Sequence, residues 1–378
     1  MKAMHLKGKT MSKSFTGKSA AVLLALSLFA SMRSNAQEKP RGYAGAVFLM
    51  TNSNSGNQIL RFGRKADGSL VSVGKTDTGG NGTGGGIDPL GSQNSLLLTQ
   101  DSGFLLAVNA ASGTVSSFQV DGAELRLVDV ESSGGGFPNA IAQWGDLVYV
   151  LNAAGNSSVV GFHLEDGKLT RIPGAVGYLS TALAGGSSVT FTAGGKVLLA
   201  AERTTGKIDS FPVNPDGTLG AATITSYPGI FDFAIAPGSE FLIAVGGPTI
   251  TSNAVDDAAA LTNIATTTIF SGACWVVVTP TGYVYGSTGG ANVIDGYSLA
   301  PSGALTAIGT GEAATVPNGK PLDLALSSDG NYLYSLNAGI GTIGVWTIQP
   351  TTGVLTANAP VALRAADAND GFNGIAAY

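Results

Sequence analysis

Residues Pro321 to Leu355 read PLDLALSSDGNYLYSLNAGIGTIGVWTIQPTTGVL. Three turn texts, Ser-Asp-Gly, Asn-Ala-Gly and Thr-Thr-Gly, cut this stretch into four short runs rich in Leu, Tyr, Val and Ile. Glycine supplies the positive φ of a tight turn because it has no Cβ to clash. Apolar runs of this length between such turns read as antiparallel strands, and no convincing amphipathic helix competes with them.

The final turn, TGVL at Thr352 to Leu355, has six relatives upstream. They are DGSL at Asp67 to Leu70, GAEL at Gly122 to Leu125, DGKL at Asp166 to Leu169, DGTL at Asp216 to Leu219, AAAL at Ala258 to Leu261 and SGAL at Ser302 to Leu305. Successive leucines lie 55, 44, 50, 42, 44 and 50 residues apart, a period that means a repeat architecture. A large residue closes the strand before each turn: Phe62, Phe118, Phe162, Phe211, Tyr297 and Trp346, with Val255 in the degenerate fifth copy. At the ends, AGAVFLMTNSNSGNQILRF begins at second-strand text, while GFNGIAAY is a first strand with nothing after it, so together they complete one unit. The sequence predicts an all-β, seven-bladed β-propeller with four antiparallel strands per blade, its ring closed by the C-terminal strand joining the N-terminal blade.

Residues 1–36 hold six Lys or Arg and no acid, followed by a short apolar run from Ala20 to Ala30 and small residues at Ser34-Asn35-Ala36. This pattern reads as a secretory signal peptide, with Met11 as an alternative start, and residues 37–378 read as a single propeller domain. The run is too short to span a bilayer, and no cysteine follows it to carry a lipid, so the expectation is an exported, unanchored monomer in the periplasm or medium. Without the leader the chain has 14 basic and 25 acidic residues, which argues against nucleic acid and anionic membrane as partners.

Few residues suit catalysis by the commonest routes. His163, the sole histidine after the leader, sits on a predicted surface strand, which argues against a histidine zinc site or a Ser-His-Asp triad. Cys274, the only cysteine, lies in the apolar text ACWVVV and reads as a buried strand residue. Gly79 to Gly86, GGNGTGGG, lacks the Gly-Lys-Ser/Thr of a phosphate loop and reads as a flexible connection between blades.

Propeller ligands usually meet the first strands at one mouth of the central channel. One matched position per first strand gives Asn94, Asn139, Ser188, Asp232, Trp275, Asp323 and Asn373, a polar ring on apolar strands. As scaffold these side chains wet the channel and cap strand ends; as function, Asp232 or Asp323 faces a small cavity as a base. The loops between second and third strands open on the same face. Asn52, Asn109, Asn152 and Asn337 hold equivalent places there, and the fourth blade has Glu202, with Arg203 beside it, in LLAAERTTGKIDSF. A carboxylate among turn asparagines breaks a local rule, either as half of a surface ion pair or as a ligand group.

VNAASGTVSSF, LNAAGNSSVVGF, LNAGIGTIGVW, the SSDGNYLYSLN step and the x-G-x-L turns resemble the lactonase family of seven-bladed propellers over the whole mature chain. That family includes propeller-type 6-phosphogluconolactonases and carboxymuconate-lactonizing enzymes, and its scaffold motifs are shared with YVTN-type repeats. The resemblance implies lactone hydrolysis, a place in carbohydrate metabolism, and a glutamate at the position of Glu202. It also implies basic first-strand residues where this chain has Gly186-Ser187-Ser188 and Pro138-Asn139. The expectation drawn is an exported lactonase-like propeller acting on a small polar molecule such as a sugar lactone. Glu202 and Arg203 are its catalytic candidates, Asn139, Asp232 and Asp323 its substrate-binding ones, and no cofactor is required. A binding or surface-interaction propeller is the alternative, and a divalent cation held by channel oxygens a third reading.

Overall fold

A computed structural model describes residues 42–268, 273–363 and 370–378; the signal-peptide reading of 1–36 lies outside them. The described residues form seven antiparallel sheets and no helix. From the inside outward, blade one is Ile375–Ala377, Gly45–Met50, Gln58–Arg64 and Leu70–Asp77. The inner strands of blades two to seven are Leu96–Leu98, Gly136–Trp144, Gly186–Phe191, Ile230–Ile235, Trp275–Val278 and Pro321–Leu326. Each inner strand touches the next, and Pro321–Leu326 meets Ile375–Ala377, so the ring is closed. Closure is the predicted one: Ile375 pairs with Leu49, and Ala377 with Val47.

Burial explains why the middle strands look uniformly apolar rather than alternating. Gly45–Met50, Val197–Glu202 and most of Tyr332–Asn337 are buried along their length, because a blade is covered on both faces by its neighbours. Outer strands such as Glu124–Ser132 swing between half-buried and exposed. Register shifts interrupt their pairing at Arg61/Phe62, Ser117/Phe118 and Ser252/Asn253, and bulges of this kind discourage pairing at an open edge.

The repeated turn needs glycine for two reasons. Gly68, Gly167, Gly217, Gly303 and Gly353 all have positive φ. Each is also packed by the start of the second strand in the preceding blade: a Cβ on Gly353 would lie 2.4 Å from the Tyr283 ring, and one on Gly68 would lie 2.3 Å from the Tyr332 ring. The hydroxyls of Tyr285 and Tyr334 then donate to the carbonyls of Gly353 and Gly68 at 2.6 and 3.0 Å. Ala259 keeps the left-handed conformation, φ 64°, in the copy that has lost its glycine. The x-G-x-L turn is therefore the hook by which one blade holds the next.

Candidate site at the channel mouth

Four inner strands carry a bulge at the mouth end. Pairing skips between Pro138 and Ala140, Gly186 and Ser188, Ile230 and Asp232, and Pro321 and Leu324. A bulge re-aims side chains that would otherwise alternate. Here it turns polar ones toward the neighbouring inner strand, and they stitch the ring. Ser92 Oγ donates to the carbonyl of Asn139 at 2.6 Å, Asn139 Nδ2 to that of Gly186 at 2.8 Å, and Ser187 Oγ to that of Phe231 at 2.6 Å. Asp232 Oδ2 accepts from the Val276 N–H at 2.9 Å, Asp323 Oδ2 from the Gly374 N–H, and Asn373 Oδ1 from Ser95 Oγ at 3.1 Å.

Only part of each side chain is used this way. Asn139 Oδ1, Asp232 Oδ1, Trp275 Nε1 and Asp323 Oδ1 are buried and find no hydrogen-bond partner among the described residues. Buried polar atoms are nearly always partnered, by water or ligand where not by protein. Their convergence on one ring marks the polar centre of the molecule. Burial pushes Asp232 up to about 7, although Ser188 and the Val276 N–H favour its charge. Asp323 is also raised well above the usual carboxylate range, by burial and then by the charges of Asp88 and Asp232.

In blade two the structure departs from the matched ring. Asn94 is left-handed, φ 60°, and gives its backbone carbonyl to the Ile141 N–H at 2.9 Å. Gln93 takes the inward position instead. Its amide spans the channel to blade six, donating to the Val276 carbonyl at 3.1 Å and accepting from the Val276 N–H at 3.0 Å. The channel is thus crossed by a side chain near its mouth.

The glycine-rich text is not a loose connection. Asn52 brackets Thr83 with both amide atoms, Gly82 and Gly84 donate to the backbone of Ser53 and Asn52, and Asn81 meets Ser112. Glycine is required at Gly82 and Gly80, where a Cβ would fall 2.3 Å from Asn52 and 2.5 Å from Asn109. Fixed on both sides, the loop brings Asp88 to the mouth with φ 55°. Asp88 Oδ1 accepts from the Gly91 N–H at 3.1 Å and Asn373 Nδ2 at 3.3 Å. Burial lifts its carboxyl to about 7, with Arg203 the chief opposing influence. No sequence motif singled out Asp88; the signal was the unexplained length of loop before the first strand of blade two.

Arg203 and Glu202, the two catalytic candidates, are adjacent in sequence but have different surroundings. The exposed Arg203 guanidinium lies over the Phe231 ring, 5.7 Å from its centroid, and closes on Gly91, where a Cβ would meet it at 2.7 Å. It belongs to the mouth. Glu202 points toward blade three and is fully buried. Its carboxylate accepts from the Ser180 N–H at 2.5 Å, Ser180 Oγ at 2.6 Å and Thr205 Oγ1. Burial opposes its charge, but hydrogen bonds from Asp209, Ser180 and Thr205 hold it below the usual carboxylate range. Asp209, equally buried, is raised to about 8 by burial and by Glu202. Asn109 occupies the same place in blade two and is likewise consumed, accepting from Thr78 Oγ1 and donating to Ser116 Oγ. Glu202 therefore sits where an inter-blade clamp is needed.

Cys274 precedes the inner strand of blade six rather than lying within it, and is half-buried. Burial and the nearby Asp88 raise its thiol above the ordinary value. His163 is partly exposed and bonds Asp146 at 2.9 Å, on the strand face predicted for it. No group of three or more His, Cys, Asp or Glu side chains suited to a metal occurs among the described residues.

No protein-family model matches this chain, and no curated protein matches it in sequence. Among solved structures it is similar to the periplasmic gluconolactonase of Pseudomonas aeruginosa, with a TM-score of 0.68, 17% identity, and coverage of 87% of this chain and 99% of that one. Two proteins provisionally named 6-phosphogluconolactonases are similar as well. The Bacteroides uniformis protein has a TM-score of 0.70 at 20% identity, covering 87% of this chain and 99% of its own. The Bacteroides fragilis protein has 0.69 at 19%, covering 90% and 100%. What these structures share with this chain is the fold.

Proposed function

We propose that this protein is an exported hydrolase of sugar lactones that works at the mouth of its central channel. The observation that carries this reading is the exposed Arg203 guanidinium beside Asp88, above buried channel atoms that lack partners. Lactone opening places negative charge on the carbonyl oxygen, and a guanidinium at that point stabilises it. Asn139 Oδ1, Asp232 Oδ1 and Asp323 Oδ1 lie buried beneath the mouth without partners, while their companion atoms are fixed to the ring, so they form its polar floor. Export is supported by the basic leader and apolar run, and by the periplasmic origin stated for the Pseudomonas aeruginosa neighbour. The reading needs no cofactor and no partner chain.

The test is hydrolysis of a panel of sugar lactones by residues 37–378, with chelator and with Arg203→Met. Turnover that survives chelator and falls at least about a hundredfold in the variant supports the reading. Unphosphorylated lactones are expected to be the better substrates, because Asp88 and Asp232, each pushed up to about 7, repel a phosphate dianion as they ionise. A binding propeller without turnover is the second reading. It is favoured by the burial of Glu202, which removes from the mouth the carboxylate that the family likeness implies. Saturable binding of a sugar acid with no hydrolysis of any lactone would establish it.

A further inference from the structure

We propose that Asp88, delivered by the glycine-rich loop, is the general base of the channel-mouth site. The assignment rests on the lactonase reading above. Three carboxyl groups face this mouth, and their placement separates their roles. Asp232 and Asp323 are 0% and 1% exposed, and each is tied by one oxygen to the next inner strand. Neither is free to approach a substrate from above. Asp88 is half-buried, at the tip of a loop held at both sides, with Oδ1 anchored by Gly91 and Asn373. The Arg203 guanidinium closes on Gly91, the residue whose N–H holds that same Oδ1, so base and cation share one edge of the mouth.

A second feature is the buried Asp323, whose Oδ1 has no partner and whose carboxyl is raised in part by the charge of Asp88. An unpartnered buried acceptor, a half-buried carboxyl and an exposed guanidinium thus lie together at the mouth, the groups a lactone and one water would need. Burial balanced against Arg203 places the Asp88 titration near neutrality, where a general base is most effective.

In the step, the Asp88 carboxylate takes a proton from water as the water oxygen bonds to the lactone carbonyl carbon. The carbonyl electron pair moves to its oxygen, facing Arg203. When the carbonyl re-forms, the ring C–O bond breaks and the departing oxygen takes the proton back from Asp88. One lactone and one water give one hydroxy acid, and the site is restored.

Asp88→Asn is the test, since asparagine tolerates the left-handed backbone and keeps a hydrogen-bonding side chain. Expected is a loss of about 10²-fold to 10⁴-fold in kcat with KM little changed. The acidic limb of the kcat/KM profile, with its midpoint near that of Asp88 at about 7 in the wild type, is expected to vanish. Unfolding by urea monitors integrity alongside; Asp88→Glu, which restores a carboxylate on a longer arm, should recover part of the rate and the limb. Turnover within threefold of wild type in Asp88→Asn, limb intact, while Arg203→Met is inactive, overturns the assignment and leaves the lactonase reading standing. Wild-type protein that hydrolyses no lactone overturns both.

Discussion

Replacing Asp209 by asparagine should make the protein more stable at neutral pH while removing a hydrogen-bonding acid. Asp209 and Glu202 are both fully buried between blades three and four, facing Ser180, Thr205 and Lys207. Two carboxylates so close cannot both ionise without cost, and Asp209 is the one that keeps its proton, titrating at about 8. Its pKa is raised above the unfolded value of 3.8, so its contribution is complete below that value and is lost as pH rises toward the folded one. Across that window the folded state holds one proton more than the unfolded chain, worth about 1.4 kcal/mol per pH unit. Between pH 5 and pH 7 the wild type should thus lose about 3 kcal/mol through this group alone. The size is set by the single proton, so it does not depend on the midpoint so long as this lies above the range tested. Asparagine donates to Glu202 as the protonated acid does, and has nothing to titrate. Urea unfolding of both proteins at several pH values gives the difference directly, and the groups they share, Asp88, Asp232 and Asp323, cancel. A stability difference that stays constant with pH would refute the shared proton, as would a variant that is the less stable of the two at pH 8.

Three further outcomes follow from geometry. Gly353→Ala should cost at least about 2 kcal/mol in chemical unfolding, because the new Cβ meets both a positive φ of 70° and the Tyr283 ring at 2.4 Å. Gln93→Ala should cost about 1–3 kcal/mol, since the buried Val276 carbonyl loses the partner that reaches it across the channel. Cys274 should be alkylated by iodoacetamide at pH 8 at least about tenfold more slowly in the folded protein than in urea, its thiolate being disfavoured by burial and by Asp88.

The blades were legible because their requirement is local and repeated. A turn that must have positive φ and also receive an aromatic ring leaves glycine as its residue, and the leucine three places on opens the outer strand; both constraints act within one hairpin. Even the copy that broke the pattern could be aligned, since Ala259 adopts the conformation its sisters assign to glycine. Ring closure was readable for a related reason, as incomplete strands at the two ends complement each other.

The site resisted reading because its residues answer to neighbours far away in sequence. Spacing alone put Asn94 in the ring; the positive φ that turns it aside and admits Gln93 is visible only once Val276, 183 residues on, is opposite. Glu202 looked like a ligand group because it stands where other blades have asparagine, yet Asp209, seven residues later, supplies the compensation by keeping a proton. A rule broken in sequence thus had a partner that no pattern search pairs with it. Asp88 is the converse case. It breaks no rule and lies in a loop whose glycines invite a reading of slackness, but those glycines are small because Asn52 and Asn109 press against them. Tight backbone approach, not freedom, is what fixes the half-buried carboxyl of Asp88 near Arg203.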